Sequence, residues 1–145
     1  GMTALYARPS VSSEQRALIE QVLAPTGQHL WVQSEEQLDA VTALSGSGPA
    51  YVFYFLEAMV QAGTDMGLSP EQAHQLAVGT FVGASELARR STESPAVLRQ
   101  RVTSKGGTTY AALQSLEQDG VADKFIRALR AAEHRAGELG DEFGR

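Results

Sequence analysis

Signals for the start of an α-helix recur along this chain from Ser34 onward, and they constrain the fold more than any other feature. A Ser or Thr before an apolar periodic segment caps the free N–H groups of a helix. A Gln three residues later, or a Pro in the first turn, strengthens the signal. Because the connections are short, the sequence predicts a helical bundle. The predicted helices begin at Ser34, Ser47, Ser69, Ser94, Thr108 and Val121 and end near Leu44, Met66, Arg90, Gln100, Gln118 and Leu139.

The beginning of the sequence follows a different pattern. Two predicted strands, at residues 1–7 and 29–33, flank a helix that starts with a capping box at Ser12 and Gln15. This unit is too small to be a nucleotide-binding domain, and the sequence contains no G-x-G-x-x-G phosphate loop. We therefore predict a mainly α protein with two parts, a strand–helix–strand unit at residues 1–33 and an all-helical domain at residues 34–145.

Composition argues against several classes of function. The 145 residues carry a formal net charge of -5 without a Lys/Arg block, which disfavours nucleic-acid binding. Cysteine is absent and the three histidines lie far apart, so neither a disulfide framework nor a metal site is predicted. The longest apolar run, Tyr51 to Leu56, is too short to cross a membrane, and no signal peptide is evident. We expect a soluble, cytoplasmic protein.

The segment from Arg101 to Thr109 is the strongest candidate for a binding site. It places hydroxyl side chains and the adjacent Gly106 and Gly107 at the mouth of a predicted helix. The free N–H groups and the helix dipole attract anions there, and glycine lets a ligand approach the backbone. This arrangement suits a carboxylate or phosphate. A capped helix start with a Gly-Gly turn and no ligand explains the same residues equally well.

Two longer segments resemble the signature of pyrroline-5-carboxylate reductases. Asp39–Tyr51 and Val102–Thr109 match that family in order and spacing, and residues 1–7 resemble the end of its nucleotide-binding domain. The resemblance covers essentially the whole chain, with Lys105 where the family commonly has proline and Arg101 where it usually has an amide. It implies the C-terminal helical dimerisation domain of the enzyme after a remnant of a Rossmann-like domain. The enzyme implied reduces 1-pyrroline-5-carboxylate to L-proline with NADPH or NADH.

The resemblance also implies roles for individual residues. The N–H groups of Gly107 and Thr108 would hold the substrate carboxylate, and the Thr109 hydroxyl would bind the ring nitrogen as the catalytic group. From charge alone, favourable contact with a helix dipole explains Glu35 and Glu36 more often than a substrate role does. The implied substrate site comprises Glu35, Ser104, Gly107, Thr108 and Thr109, and Arg101 is the candidate cofactor contact.

The predicted helix that begins at Ser69 is apolar nearly all round between Leu76 and Leu87. A surface helix normally has one apolar stripe, so this helix is either the centre of a small bundle or buried against a second subunit. Gly79 and Gly83 lie four residues apart, a spacing that permits a close helix crossing. The resemblance implies the second alternative, a homodimer or a higher oligomer.

Without a phosphate loop, this chain alone is expected to bind no dinucleotide tightly and to reduce no imine. Two other functions fit the residues. A related reductase with a Rossmann-plus-helical layout would act on another small acid, and Lys105 is the candidate for the catalytic lysine that such an enzyme needs. In the other alternative, the chain is a non-catalytic helical dimerisation or ligand-binding module.

Overall fold

The computed structural model describes residues 1–143, and most of them are helical. The helices follow a small strand–helix–strand unit, which confirms the predicted fold class. A 3₁₀ turn at Ala24–Thr26 and a π-helical turn at Thr42–Gly46 complete the regular structure. The main elements are β1 (Met2–Leu5), α1 (Ser13–Leu23), β2 (Gln28–Trp31), α2 (Gln37–Val41), α3 (Gly48–Asp65), α4 (Pro70–Arg90), α5 (Pro95–Arg101), α6 (Thr108–Gln118) and α7 (Val121–Phe143).

The chain divides into two compact units. The first contains residues 1–49 together with the chain from Ile126 onward, and the second contains residues 50–125. Helices α3 and α7 therefore contribute residues to both units. This division does not follow the predicted domain boundary between residues 33 and 34, which stays a prediction.

In the first unit, β1 and β2 pair in parallel, with Met2 opposite Gln28. Helix α1 connects the two strands, and its start confirms the predicted capping box. The Gln15 N–H donates to Ser12 Oγ at 3.3 Å, and the Ser12 N–H donates back to Gln15 Oε1 at 2.9 Å. Four residues therefore specify where this helix begins.

Polar contacts fasten α1 to β2. Glu20 Oε1 accepts a hydrogen bond from Trp31 Nε1, and His29 Nε2 lies 3.9 Å from the same carboxylate oxygen. The Arg16 guanidinium lies 5.3 Å from the centre of the Trp31 ring, within the range of a cation–π contact. Two side chains of α1 thus contact Trp31, and one of them also contacts His29.

The predicted start of the next helix at Ser34 is wrong. Helix α2 begins at Gln37, and Glu36 precedes it without a side-chain cap. Gln37 Oε1 accepts from the N–H groups of Gln33 (2.7 Å) and Ser34 (3.4 Å), which is one half of a capping box. The other half is missing, since no hydrogen bond joins the Gln37 N–H to Ser34 Oγ in the described residues. A hydrogen bond with the Ser34 side chain lowers the pKa of Glu36 from its ordinary value.

The helix predicted to continue to Leu44 changes form at Thr42. The Ser47 N–H donates to the Thr42 carbonyl at 2.8 Å, so the chain spans five residues per hydrogen bond here instead of four. Helix α3 begins two residues after this turn, at Gly48. The π-helical turn therefore replaces the loop that was expected before Ser47.

In the second unit, the predicted serine caps of α4 and α5 are confirmed. Ser69 and Gln72 form a complete capping box, and Ser94 Oγ accepts from the Val97 N–H at 3.4 Å. Helix α3 contacts α4 at the buried Gly63. Two aromatic rings of α3 pack edge to face against Phe125, each with its centroid 5.6 Å from that ring.

The buried core is small. Among residues 1–143, the buried apolar residues are three alanines: Ala43 in the first unit and Ala73 and Ala77 in the second. Large apolar side chains on α4 remain exposed, with Leu76 59%, Val82 64% and Leu87 53% accessible. A single copy of the chain therefore leaves an extended apolar surface uncovered.

Candidate functional site

The candidate loop starts where α5 ends. Helix α5 ends at Arg101, and the Thr103 side chain closes its last turn by donating from Oγ1 to the Arg99 carbonyl at 2.6 Å. The Thr103 N–H also donates to the Gln100 carbonyl at 3.1 Å. These two bonds fix the direction in which the chain enters the loop.

A tight turn over Ser104 to Gly107 forms the centre of the loop. Gly106 has φ +74°, a conformation that favours glycine, and the Gly107 N–H donates to the Ser104 carbonyl at 3.0 Å. A Cβ on Gly107 would lie 2.6 Å from Ser104 Oγ and 3.2 Å from the Ser104 carbonyl oxygen, so a larger residue there would displace the Ser104 side chain. The two glycines thus serve different purposes, the first conformational and the second steric.

The mouth of α6 presents three free backbone N–H groups. Gly107 is the residue before the helix, and its carbonyl accepts from the Ala111 N–H at 3.1 Å. Within the described chain, the N–H groups of Thr108, Thr109 and Tyr110 have no acceptor. The Gly107 N–H, which was expected to bind a carboxylate, is already used inside the turn. Counting helix positions from Gly107 would have identified Tyr110, which the sequence reasoning missed.

The hydroxyl groups of the loop are also free. Ser104, Thr108 and Thr109 are exposed, and none of their hydroxyls has a hydrogen-bond partner in residues 1–143. Gly107 precedes the helix and Thr108 does not cap it, so the side chains are not used for capping. Lys105 is exposed, and no carboxylate of the described residues pairs with it. The loop is therefore a set of unpaired donors beside a helix N-terminus.

The two remaining candidates lie outside this cluster. The guanidinium of Arg101 donates from Nη2 to Glu93 Oε1 at 2.6 Å. Glu35 belongs to the first unit, where it is exposed just before α2 and its carbonyl accepts from the Leu38 N–H at 3.0 Å. The structure thus brings together Ser104, Gly107, Thr108 and Thr109 within one loop of the second unit.

The cavities of the second unit include one along α4, one between α5 and α6 and one among aromatic side chains. A cavity of about 180 Å³ lies between α5 and α6 and includes Thr103 and Tyr110 in its lining, but none of the four clustered loop residues lines it. A larger, mostly apolar cavity of about 700 Å³ is lined by residues that include Phe55, Phe81 and Phe125. None of Ser104, Gly107, Thr108 and Thr109 lines either of the last two cavities.

The connection between β1 and α1 lacks the features of a pyrophosphate-binding turn. A Rossmann-type site holds the pyrophosphate on a glycine-rich turn between a strand and a helix. Here the segment from Tyr6 to Ser12 between β1 and α1 has no glycine, and Pro9 offers no N–H. In residues 1–143, no group of His, Asp or Glu could hold a metal ion, and no helix is long and apolar enough to cross a membrane.

Comparison with known proteins relates this loop to a family. The family described as pyrroline-5-carboxylate reductase dimerisation matches residues 35–139. The pyrroline-5-carboxylate reductase of Pseudomonas aeruginosa is 45% identical over 144 residues, which are 99% of this chain and 53% of that protein. The enzyme of Synechocystis is 41% identical over 97% of this chain and 52% of its own length. The chain thus spans about half the length of these curated relatives.

Comparison with solved structures leads to the same family. A pyrroline-5-carboxylate reductase from Coxiella burnetii superposes with a TM-score of 0.90 at 43% identity, covering 95% of this chain and 51% of that one. The Plasmodium falciparum pyrroline carboxylate reductase, solved with NADP bound, gives a TM-score of 0.83 at 29% identity, covering 94% of this chain and 57% of that one. The chain belongs to the pyrroline-5-carboxylate reductase dimerisation family.

Proposed function

We propose that this chain is the dimerisation and substrate-binding part of a cytoplasmic enzyme that reduces 1-pyrroline-5-carboxylate to L-proline with NADPH or NADH. The observation that carries the proposal is the mouth of α6. Free N–H groups and unpaired hydroxyls lie together there, at a loop within the region that matches the family. Such a group of donors suits a small ligand with a carboxylate.

The substrate carboxylate is bound at the helix mouth in this proposal. The N–H groups of Thr108 and Thr109 point out of the first turn of α6, where the helix dipole adds partial positive charge. The Tyr110 N–H is a third donor at the same end. Gly107 supports the site through the shape of its turn with Ser104, because its own N–H is already bonded.

The Thr109 hydroxyl is the proposed catalytic group. Reduction adds a hydride to the carbon of the protonated C=N bond and turns the π pair into a lone pair on nitrogen. The Thr109 oxygen would accept the N–H of the imine before transfer, and its O–H would donate to the new lone pair afterwards. Because the Thr109 hydroxyl has no hydrogen-bond partner within residues 1–143, it is available both to accept from a ligand and to donate to it.

The nicotinamide cofactor would be held outside residues 1–143, which lack a pyrophosphate cradle. We therefore propose that this chain alone binds no dinucleotide tightly and reduces no imine. Glu35, in the first unit, is proposed to border the substrate. No step of the reaction is assigned to it.

We further propose that two copies of the chain form a homodimer. Only alanines are buried among the apolar residues described, while Leu76, Val82 and Leu87 lie exposed on α4. A second copy that covers α4 and the apolar cavity lined by Phe55 would remove this surface from water. The family name agrees with this arrangement.

A comparison of three proteins tests the function: this chain, the part of the Pseudomonas aeruginosa relative that this chain does not match, and a fusion of the two. We expect only the fusion to reduce pyrroline-5-carboxylate with NADPH. L-proline should shift the amide NMR signals of Thr108 and Thr109 in the chain alone. A folded, dimeric but inactive fusion would contradict the proposal, and so would micromolar NADPH affinity of the chain alone by calorimetry.

A further inference from the structure

Glu93 and Arg101 join the two ends of α5. Glu93 lies directly before the Ser94 cap of this helix, and Arg101 is its last residue. Arg101 Nη2 donates to Glu93 Oε1 at 2.6 Å across eight residues of sequence. A helix of seven residues has little stability of its own, so contacts at its ends contribute to holding it in place.

Glu93 is the better-fixed member of this pair. Its side chain is 30% accessible, against 67% for Arg101, and its backbone N–H donates to Ser91 Oγ at 3.0 Å. In the described chain Arg101 has no other acidic partner. The Glu93 carboxylate is therefore the more fixed partner, and the ion pair restrains the Arg101 side chain.

A continuous series of contacts leads from this pair to the candidate loop. Arg101 is two residues before Thr103, whose side chain and N–H close the end of α5. Ser104 follows, and its carbonyl accepts from the Gly107 N–H. A shift of Arg101 would therefore move the turn that sets the first N–H groups of α6.

We propose that Glu93 is a positioning residue for the substrate loop and that it acts through Arg101. This rests on the proposed function of the loop. The proposal gives Arg101 a role different from the cofactor contact that was expected from the sequence. If Arg101 contacted the cofactor, loss of the Glu93 carboxylate would free the Arg101 charge and tighten NADPH binding in the fusion. If Glu93 positions the loop, its loss weakens L-proline binding in the chain alone.

The test uses Glu93→Gln, Arg101→Met and the double variant in the 145-residue chain. NMR would measure the exchange of the Gly107 amide with water and the Kd for L-proline. Each single variant should speed exchange and raise the Kd by about two- to five-fold, the range for an exposed ion pair. The double variant should do no more than either single one, because the two residues act as a unit. High salt should reproduce the effect in the unaltered chain only.

Glu138→Gln is the matched control, because it breaks the exposed Arg135–Glu138 pair, 2.9 Å long, on α7. It should leave the exchange of Gly107 unchanged. Unchanged exchange and affinity in both single variants would overturn the proposal, and so would additive effects in the double variant. If the unaltered chain does not bind L-proline while exchange still responds to Glu93, the function of the loop fails but the positioning of the loop by Glu93 is supported.

Discussion

The Cβ position of Gly63 lies only 2.9 Å from the Cβ of Ala73. Real Cβ atoms do not approach so closely, so α3 and α4 can meet here only because residue 63 has no side chain. Ala73 is 3% accessible, which places this contact in the small core of the second unit. From the sequence, the glycines expected to permit a close helix crossing were Gly79 and Gly83, which both lie on α4.

Gly63→Ala should destabilise the chain. The new methyl group would push the two helices apart at a buried contact, at a cost of about 1–3 kcal/mol that exceeds the gain in helix propensity. Urea unfolding at fixed chain concentration would measure the change. Gly140→Ala on α7 is the control, since no atom lies within 4 Å of its Cβ position and the substitution should slightly raise stability.

Ala73→Gly provides the second arm of this experiment. Combined with Gly63→Ala it restores the free space on the opposite helix, so the double variant should be more stable than the sum of the two single losses predicts. Simple additivity would contradict a direct contact between residues 63 and 73.

Gly83→Leu should disrupt the proposed dimer. A Cβ at Gly83 would meet no described atom of other residues within 4 Å outside its own helix backbone, so the position is open in a single copy. Any loss must arise where a second copy approaches α4. Sedimentation equilibrium should show a weaker dimer, and thermal unfolding should show lower stability at the same chain concentration.

Gly140→Leu is the control for this loss of assembly, because it adds the same side chain at another open helical position. It should leave the dimer intact. A stable, fully folded monomer of the unaltered chain at high micromolar concentration would refute the dimer itself.

Gly107→Ala should weaken L-proline binding. The backbone conformation of Gly107, φ −81°, accepts alanine, so the effect must come from its Cβ, which would lie 2.6 Å from Ser104 Oγ and 3.2 Å from the Ser104 carbonyl oxygen. Calorimetric titration should show a raised Kd. Adding Ser104→Gly removes the hydroxyl side of the clash and should restore part of the affinity; no recovery would show that the hydroxyl contact is not the cause.

Thr109→Val should slow turnover in the fusion enzyme by roughly thirty-fold, about 2 kcal/mol, if its hydroxyl stabilises the developing amine. Thr109 is exposed in this chain, so stability should be unchanged. Thr109→Ser keeps the hydroxyl and should retain most of the activity. Steady-state turnover at saturating cofactor measures both variants, and equal rates for Val and Ser would remove Thr109 from the mechanism.

Helix starts could be predicted where the signal is local and uncontested. Ser12 and Ser69 cap their helices as expected, each with its Gln three residues later. Ser34 has the same spacing to Gln37, but only the Gln37 side chain completes its half of the capping box there. Whether a serine oxygen reaches the N–H three residues later depends on the backbone geometry, which the spacing does not contain. The change to π-helical hydrogen bonding at Thr42 also depends on backbone geometry, so no residue type marks it in the sequence.

The site was predictable as a segment but not in its internal bonding. Residue types placed Ser104, Gly107 and Thr108 at one helix mouth, and the structure has them there. The use of the Gly107 N–H within the turn and the tie between Glu93 and Arg101 depend on how the loop closes. Close packing at Gly63 was missed because it depends on which residue of α4 lies opposite.

The three buried alanines also bear on the order of the folding reaction. Caps at Ser12 and Ser69 are encoded within four residues, so α1 and α4 can start to form inside one chain. In the proposed dimer, burial of the large apolar side chains must await an encounter between two chains. The committing step of refolding is then bimolecular: its rate rises with chain concentration, and dilution delays the native state while leaving early helix formation unaffected.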